Sequence, residues 1–370
     1  MRRILLFIGI SSAGVASFAA VDNIYFTEYL GFDLVTLGLL VGAFNLSVAL
    51  SELPFSVAFD RFSNRTVLIT GHVIRLLAFT LLLTGSSKLQ ILSAEVFAGM
   101  AVAAMSGTSD ALVVNQLETV SREAAAAAVA RIKLVQTLSA LAAGVAGVLI
   151  FSGFPRGIWA LSLVLFAFSL LVVRAIPDTR SSPAEPFGDF IRLALFALKR
   201  HRTILLVLVN AAALPPFILW QLKLGQSSLW LIAIGYVSLC IGGAAAPLIY
   251  KIVHLSPAHL LPVAVINMVA AIAFALAAGR TLMILIFTIH VMSHGLLIII
   301  TQGLFHEGLS NSIRATTLSA VSLMDSALVA VLAPTVTALA SWVGIGTSIA
   351  LSGVIYGCVA IVGSRLDKAQ

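Results

Sequence analysis

The sequence predicts an all-α membrane protein, with 12 transmembrane helices arranged as two six-helix bundles. Three observations lead there. Hydrophobic residues make up 60% of the chain and charged residues only 10%, where a soluble domain carries about 25% charged residues. Apolar runs of roughly 20 residues, the length that crosses a hydrocarbon core, follow one another along the 370 residues with short polar connectors between them. The basic residues concentrate in alternate connectors, as the positive-inside rule requires.

Taken in order, the first six apolar runs cover 4–27, 34–58, 66–86, 89–114, 124–152 and 157–175. Met1-Arg2-Arg3 precedes a run longer than the apolar core of a secretion signal, and further spans follow it, so 4–27 reads as the first helix. The connector around Asp60 is short enough to make its flanking helices antiparallel neighbours. The second six runs cover 203–223, 228–250, 258–278, 281–304, 313–340 and 343–363. Between the halves lies the one sizeable polar stretch, 176–200, with Pro177, Pro183 and Pro186. Its second part, Phe187 to Arg200, alternates polar and apolar residues at helical spacing, as an interfacial helix does. The expected organisation is therefore residues 1–175 as one bundle, 176–200 as a cytoplasmic linker and 201–370 as the second bundle.

Charge placement tests the count of spans. Of the 22 basic residues, only Lys88, Arg156, Lys223 and Arg280 fall on one side, and Arg75 lies inside the third span. The rest, among them Arg2, Arg61, Arg65, Arg131, Arg174, Lys251 and Arg314, fall on the other. Both termini are thus expected in the cytoplasm, which needs an even number of spans. The same placement removes the nucleic-acid reading that a net charge of +7 invites. Cys240 and Cys358 both sit in apolar runs and build no disulfide framework. No phosphate-binding glycine loop, zinc spacing or nucleophile elbow occurs, so no enzyme, cofactor or metal is expected. Energy then has to come from an ion gradient.

Short motifs carry a family resemblance. Asp60, Arg61 and Arg65, between the second and third spans, keep the spacing of the loop signature of the major facilitator superfamily. Ser56, Ser63 and Asn64 depart from it. Ser106-Gly107 through Asp110-Ala111-Leu112 to Leu117 is similar to the fourth-span segment of bacterial drug-efflux-like members. Arg314-Ala315-Thr316 to Ser319 is similar to the start of their eleventh span. Gln116 to Ala124 and Gly308 to Thr316 share the spacing of leucine and arginine, which suggests repeated halves. The resemblance implies alternating access, a central cavity lined in part by the first span, and a latch made by Glu52, Asp60, Arg61 and Arg65.

Ionisable groups at membrane depth are expensive and require a partner or a task. Asp22 lies about 6 Å outside the centre of the first span at 1.5 Å per residue, beside Asn23, Tyr25 and Tyr29. Asp325 lies near the middle of the eleventh, where a buried carboxyl suits proton uptake and release. Asn45, at matching depth in the second span, is the neighbour expected to bond it if its role is structural. Asp22 and Asp325 are the proton-coupling candidates. Asp110 and Arg131 sit at similar depths on adjoining helices and are expected to form a structural ion pair. Glu95 reads as a solvated residue near the outer rim. His290 and His294, one turn apart, form with Tyr25, Asn45, Gln136 and Asn210 the expected substrate-cavity set. Pro215-Pro216 is expected to break or kink the seventh span.

The function these features predict is proton-coupled export of a small organic compound by a monomeric secondary transporter. The expected location is a bacterial inner membrane, with lipid, protons and substrate as the only partners. Uptake of a nutrient or metal-chelating metabolite is the alternative on the same fold. A non-transporting receptor or scaffold is the alternative of another class.

Overall fold

The computed structural model describes residues 1–59, 62–106, 108, 122–176, 201–307 and 311–367. Among these residues the regular elements are helical, and 12 helices are long and apolar enough to cross a membrane. The first six are α1 (Arg2–Ala19), α2 (Leu34–Phe59), α3 (Asn64–Thr84), α4 (Lys88–Met105), α5 (Arg122–Gly153) and α6 (Gly157–Arg174). The second six are α7 (His201–Gly225), α8 (Leu229–Ile252), α9 (Leu260–Leu276), α10 (Arg280–Glu307), α11 (Asn311–Val343) and α12 (Ile345–Asp367). A short helix, Asp22–Ile24, and a π-turn, Tyr25–Tyr29, prolong α1.

Helix ends follow local chemistry. Ser63, Ser87 and Ser228 accept hydrogen bonds from Thr66 N, Gln90 N and Trp230 N, capping α3, α4 and α8. Gly344, at a φ of 90°, is the single residue between α11 and α12. Only glycine adopts that left-handed turn without strain.

The chain forms two compact units, Met1–Phe32 with Ala43–Ala184 and Asp33–Gly42 with Glu185–Gln370. In the first, α1 packs on α5 and α6, and α3 packs on α4 and α6. In the second, α7 packs on α11 and α12, and α9 packs on α10 and α12. Each pairing recurs with its helix numbers raised by six. The repeat is thus structural, although the leucine–arginine segments that hinted at it lie largely outside the described residues. The connector 177–200 lies outside them too.

Helices apolar on every side belong in a membrane. Here Leu77, Leu149, Phe168, Leu276 and Val354 point outward, while Leu37, Leu68, Phe166, Leu205 and Ile349 are buried. Without a hydrophobic drive between helices in lipid, close backbone approach holds them together, and small residues permit it. A Cβ on Gly147 of α5 would fall 1.9 Å from the Ser17 carbonyl of α1. In the second unit, a Cβ on Gly38 would fall 1.9 Å from Thr337 Oγ1 of α11. Gly42, one turn on, lies over Ala330 O, the carbonyl that Pro334 leaves without its helical donor.

The expected break at Pro215-Pro216 does not occur: α7 runs unbroken from His201 to Gly225. Pro216 removes the helical donor of Ala212 O. Ser352 Oγ of α12 donates to that carbonyl instead. A freed backbone acceptor is tolerated at membrane depth when a neighbouring helix satisfies it.

Candidate functional site

The first unit places its polar groups in a seam between α1, α3 and α6. Ser11 Oγ meets Ser169 Oγ at 2.7 Å, and Ser17 Oγ meets Ser162 Oγ at 2.7 Å. His72, buried, contacts Ser169 Oγ through Nε2 at 3.0 Å and Leu68 O through Nδ1 at 2.9 Å. Three residues on, Arg75 stands in the middle of α3. Its Cζ lies 4.7 Å from the centroid of the Phe166 ring. His72 is within its electrostatic range, and among the described residues no carboxylate pairs with it. A cation–π contact contributes roughly 0.5–2 kcal/mol, whereas an arginine at the centre of a span costs about 2.5–3.5 kcal/mol on insertion scales. The ring therefore offsets only part of the charge.

Above this seam Phe18, Tyr25, Phe26, Tyr29, Phe79, Trp159 and Phe166 form a continuous aromatic cluster. Tyr25 is wholly buried in it. Its hydroxyl lies beside Trp159 and Arg156 yet completes no hydrogen bond. Asp22 opens the short helix before the π-turn, with Oδ1 accepting from Asn23 N at 2.9 Å. Glu95 of α4, read from the sequence as solvated, is half-buried and interacts electrostatically with Asp22. The π-turn is the local irregularity that brings Tyr25 inward, and such turns often accompany functional positions. No residue pattern in the sequence announced it.

At the other end of this unit, Arg65 donates through Nε and Nη2 to Ile176 O, at 3.1 and 2.5 Å. Arg3 donates to Ala175 O at 2.5 Å. Both arginines thus cap the carboxyl end of α6, where a cation is favoured. Glu52 Oε1 accepts from Ser106 Oγ at 3.4 Å, and its Oε2 is buried without a partner. Asp60 and Arg61, the rest of the expected latch, lie outside the described residues. So does Asp110, the expected partner of Arg131, which is exposed on α5. Gln136 is half-buried on the same helix, and Asn45 is half-buried on α2 and engaged in an interaction of its own.

In the second unit, Asn210 Nδ2 of α7 donates to Asp325 Oδ2 of α11 at 2.7 Å. Asp325 Oδ1 is buried and has no hydrogen-bond partner among the described residues. The amide bonded to Asp325 is thus Asn210, on a helix, α7, that packs on α11. Further along α7, Phe217 touches both histidines of α10, with centroid distances of 5.9 Å to His290 and 5.3 Å to His294. His294 Nδ1 meets Tyr356 Oη of α12 at 3.0 Å. Ser293 donates to Asn267 Oδ1 of α9 at 2.9 Å. His290 is fully buried with neither ring nitrogen bonded. The two imidazoles therefore line a polar cluster inside this unit, with Phe217, Asn267 and Tyr356 as members the sequence did not single out. A lone tyrosine or asparagine in an apolar run carries no such signal before its neighbours are known. Among the described residues no three His, Cys, Asp or Glu side chains gather to hold a metal ion.

Comparison with known proteins follows the same lines. The model of a family described as the Major Facilitator Superfamily matches residues 4–334. No curated protein matches the sequence. Among solved structures, the nucleoside transporter NupG superposes with a TM-score of 0.79 at 13% identity, covering 98% of both chains. The POT family transporter PepTSo gives 0.76 at 11% identity, over 100% of this chain and 98% of that one. The human organic anion transporter MFSD10 gives 0.70 at 12% identity, over 98% and 99%. At such identities the likeness concerns the fold alone.

Proposed function

The chain belongs to the Major Facilitator Superfamily, and from that premise we propose that it is a proton-coupled secondary transporter exporting a small organic compound by alternating access. The observation that carries this reading is Asp325. It is a carboxylate near the middle of a membrane-spanning helix, held by one amide at 2.7 Å and with its second oxygen unbonded. A charge at that depth is costly, so a carboxyl with one free oxygen is suited to carry a proton through part of the cycle and release it in another. Asp22, with Glu95 in electrostatic range, is the second proton-handling candidate. Glu52, Asp60, Arg61 and Arg65 are assigned to conformational latching, and the Asp110–Arg131 pair to structure. Tyr25, Asn45, Gln136, Asn210, His290 and His294 are assigned to the substrate path. Export follows the likeness of the Asp110-Ala111-Leu112 and Arg314-Ala315-Thr316 segments to drug-efflux-like members. The distribution of its arginines and lysines supports both termini in the cytoplasm, and the protein is proposed to be a monomer of a bacterial inner membrane.

Proteoliposomes with an imposed pH gradient test the coupling. Candidate compounds, including nucleosides, short peptides and organic anions, are followed in both directions. Gradient-driven movement that disappears separately in Asp22→Asn and in Asp325→Asn supports the reading. Full activity in both variants removes it.

A further inference from the structure

Resting on the transporter reading above, we infer that Arg75 is the receptor for a carboxylate or phosphate group of the transported compound, which makes the substrate an organic anion. Arg75 lies 11 residues into a 21-residue helix, which at 1.5 Å per residue puts it about 14–16 Å from either end. That distance exceeds the side chain's length, so the guanidinium reaches neither aqueous interface, nor a lipid phosphate there. Within the described residues nothing neutralises it. Glu95, at comparable depth on the adjoining α4, has no electrostatic interaction with Arg75; the charged group it feels is Asp22, another acid.

Neighbouring polar groups are already committed. His72 Nε2 is taken by Ser169, and Ser169 by Ser11. Among the described residues, the Phe166 ring is the aromatic face set against the charge. As a residue Arg75 is half-buried, while its guanidinium lies deep among protein atoms. A guanidinium offers paired N–H donors in the geometry of a carboxylate or phosphate. The contact with the Phe166 ring provides no hydrogen-bond acceptor oxygen for those donors. A cation kept at this depth with no counter-charge among the described residues is accounted for by a counter-charge that arrives and departs with the cargo.

The test uses the purified full chain in detergent, with unfolding followed by temperature at fixed ionic strength. The probes are benzoate, succinate and inorganic phosphate, with uncharged benzamide as control. A saturable rise in the midpoint with at least one anion, absent with benzamide, is expected. Arg75→Gln should abolish the rise, and Arg75→Lys should weaken the apparent affinity several-fold while retaining it. No rise with any anion, or an equal rise in Arg75→Gln, overturns the assignment. Should Arg75→Gln fail to fold, the wild-type titration still decides against the proposal if anions and benzamide act alike. Asp325→Asn, which tests coupling, should keep the anion response. A response lost there but retained in Arg75→Gln also overturns the assignment, whereas failed coupling with an intact, Arg75-dependent response refutes the coupling alone.

Discussion

The two units meet the same difficulty, a charge in mid-membrane, with opposite chemistry. In the first, the charge is the Arg75 guanidinium, opposed by an aromatic ring at 4.7 Å and by no acid among the described residues. In the second, it is the Asp325 carboxyl, met by an amide at 2.7 Å. An amide donor satisfies one oxygen of an acid and leaves the other available. A ring face attracts a cation without occupying any of its N–H donors. Both arrangements stop short of full compensation, and each leaves an opening for a mobile partner of the opposite kind: a proton for Asp325, an anion for Arg75.

The sharpest way to break that comparison is Asp325→Asn. Gradient-driven transport should fall to the liposome background. Thermal stability should change by no more than about 1 kcal/mol, since an asparagine oxygen still accepts from Asn210. A variant that transports normally would make Asp325 a structural residue. Next in size is Gly147→Val, which forces side-chain atoms into the Ser17 backbone of α1. Overpacking of this kind costs about 1–3 kcal/mol, visible as a lowered unfolding midpoint. An unchanged midpoint would mean that α1 and α5 part without loss.

Tyr356→Phe probes the histidine cluster of the second unit. Losing the partner of His294 Nδ1 should cost about 1 kcal/mol of stability, measured by the same melt, with transport retained if the cluster serves packing. Ser352→Ala should have the smallest effect. It removes the donor to the carbonyl freed by Pro216, and a hydrogen bond between membrane helices contributes about 0.6 kcal/mol on average. A loss of several kcal/mol would show instead that α7 depends on this bond to stay unbroken across Pro215-Pro216.

How far the sequence could be read differs between helices and sites. Apart from the fourth, which ends at Met105 rather than running on to 114, the helices follow the apolar runs because a span in lipid must satisfy its own backbone over a fixed thickness. Asp22, Asp325, Asn210, His290 and His294 stood out because polar groups are rare in such runs. Their partners did not. Asn210 was not picked out as a mate for Asp325, and it is the packing of α7 on α11 that brings them together. Glu95 read as solvated because depth along a helix says nothing about which way the side chain faces. Arg65 caps α6 through a carbonyl 111 residues away, a contact that the spacing of its loop did not announce.

By itself, the order of residues determined twelve spans, their division into sixes and the few ionisable groups inside them, since each follows from composition and from distance along one chain. Tertiary structure alone decided which of those groups meet. It joined Asp325 to Asn210, laid Arg75 on Phe166, and brought Ser352 to the carbonyl that a proline had stripped of its donor. Those contacts depend on the rotation of each helix about its axis, which the packing of small residues and aromatic rings between helices sets and which no single apolar run records.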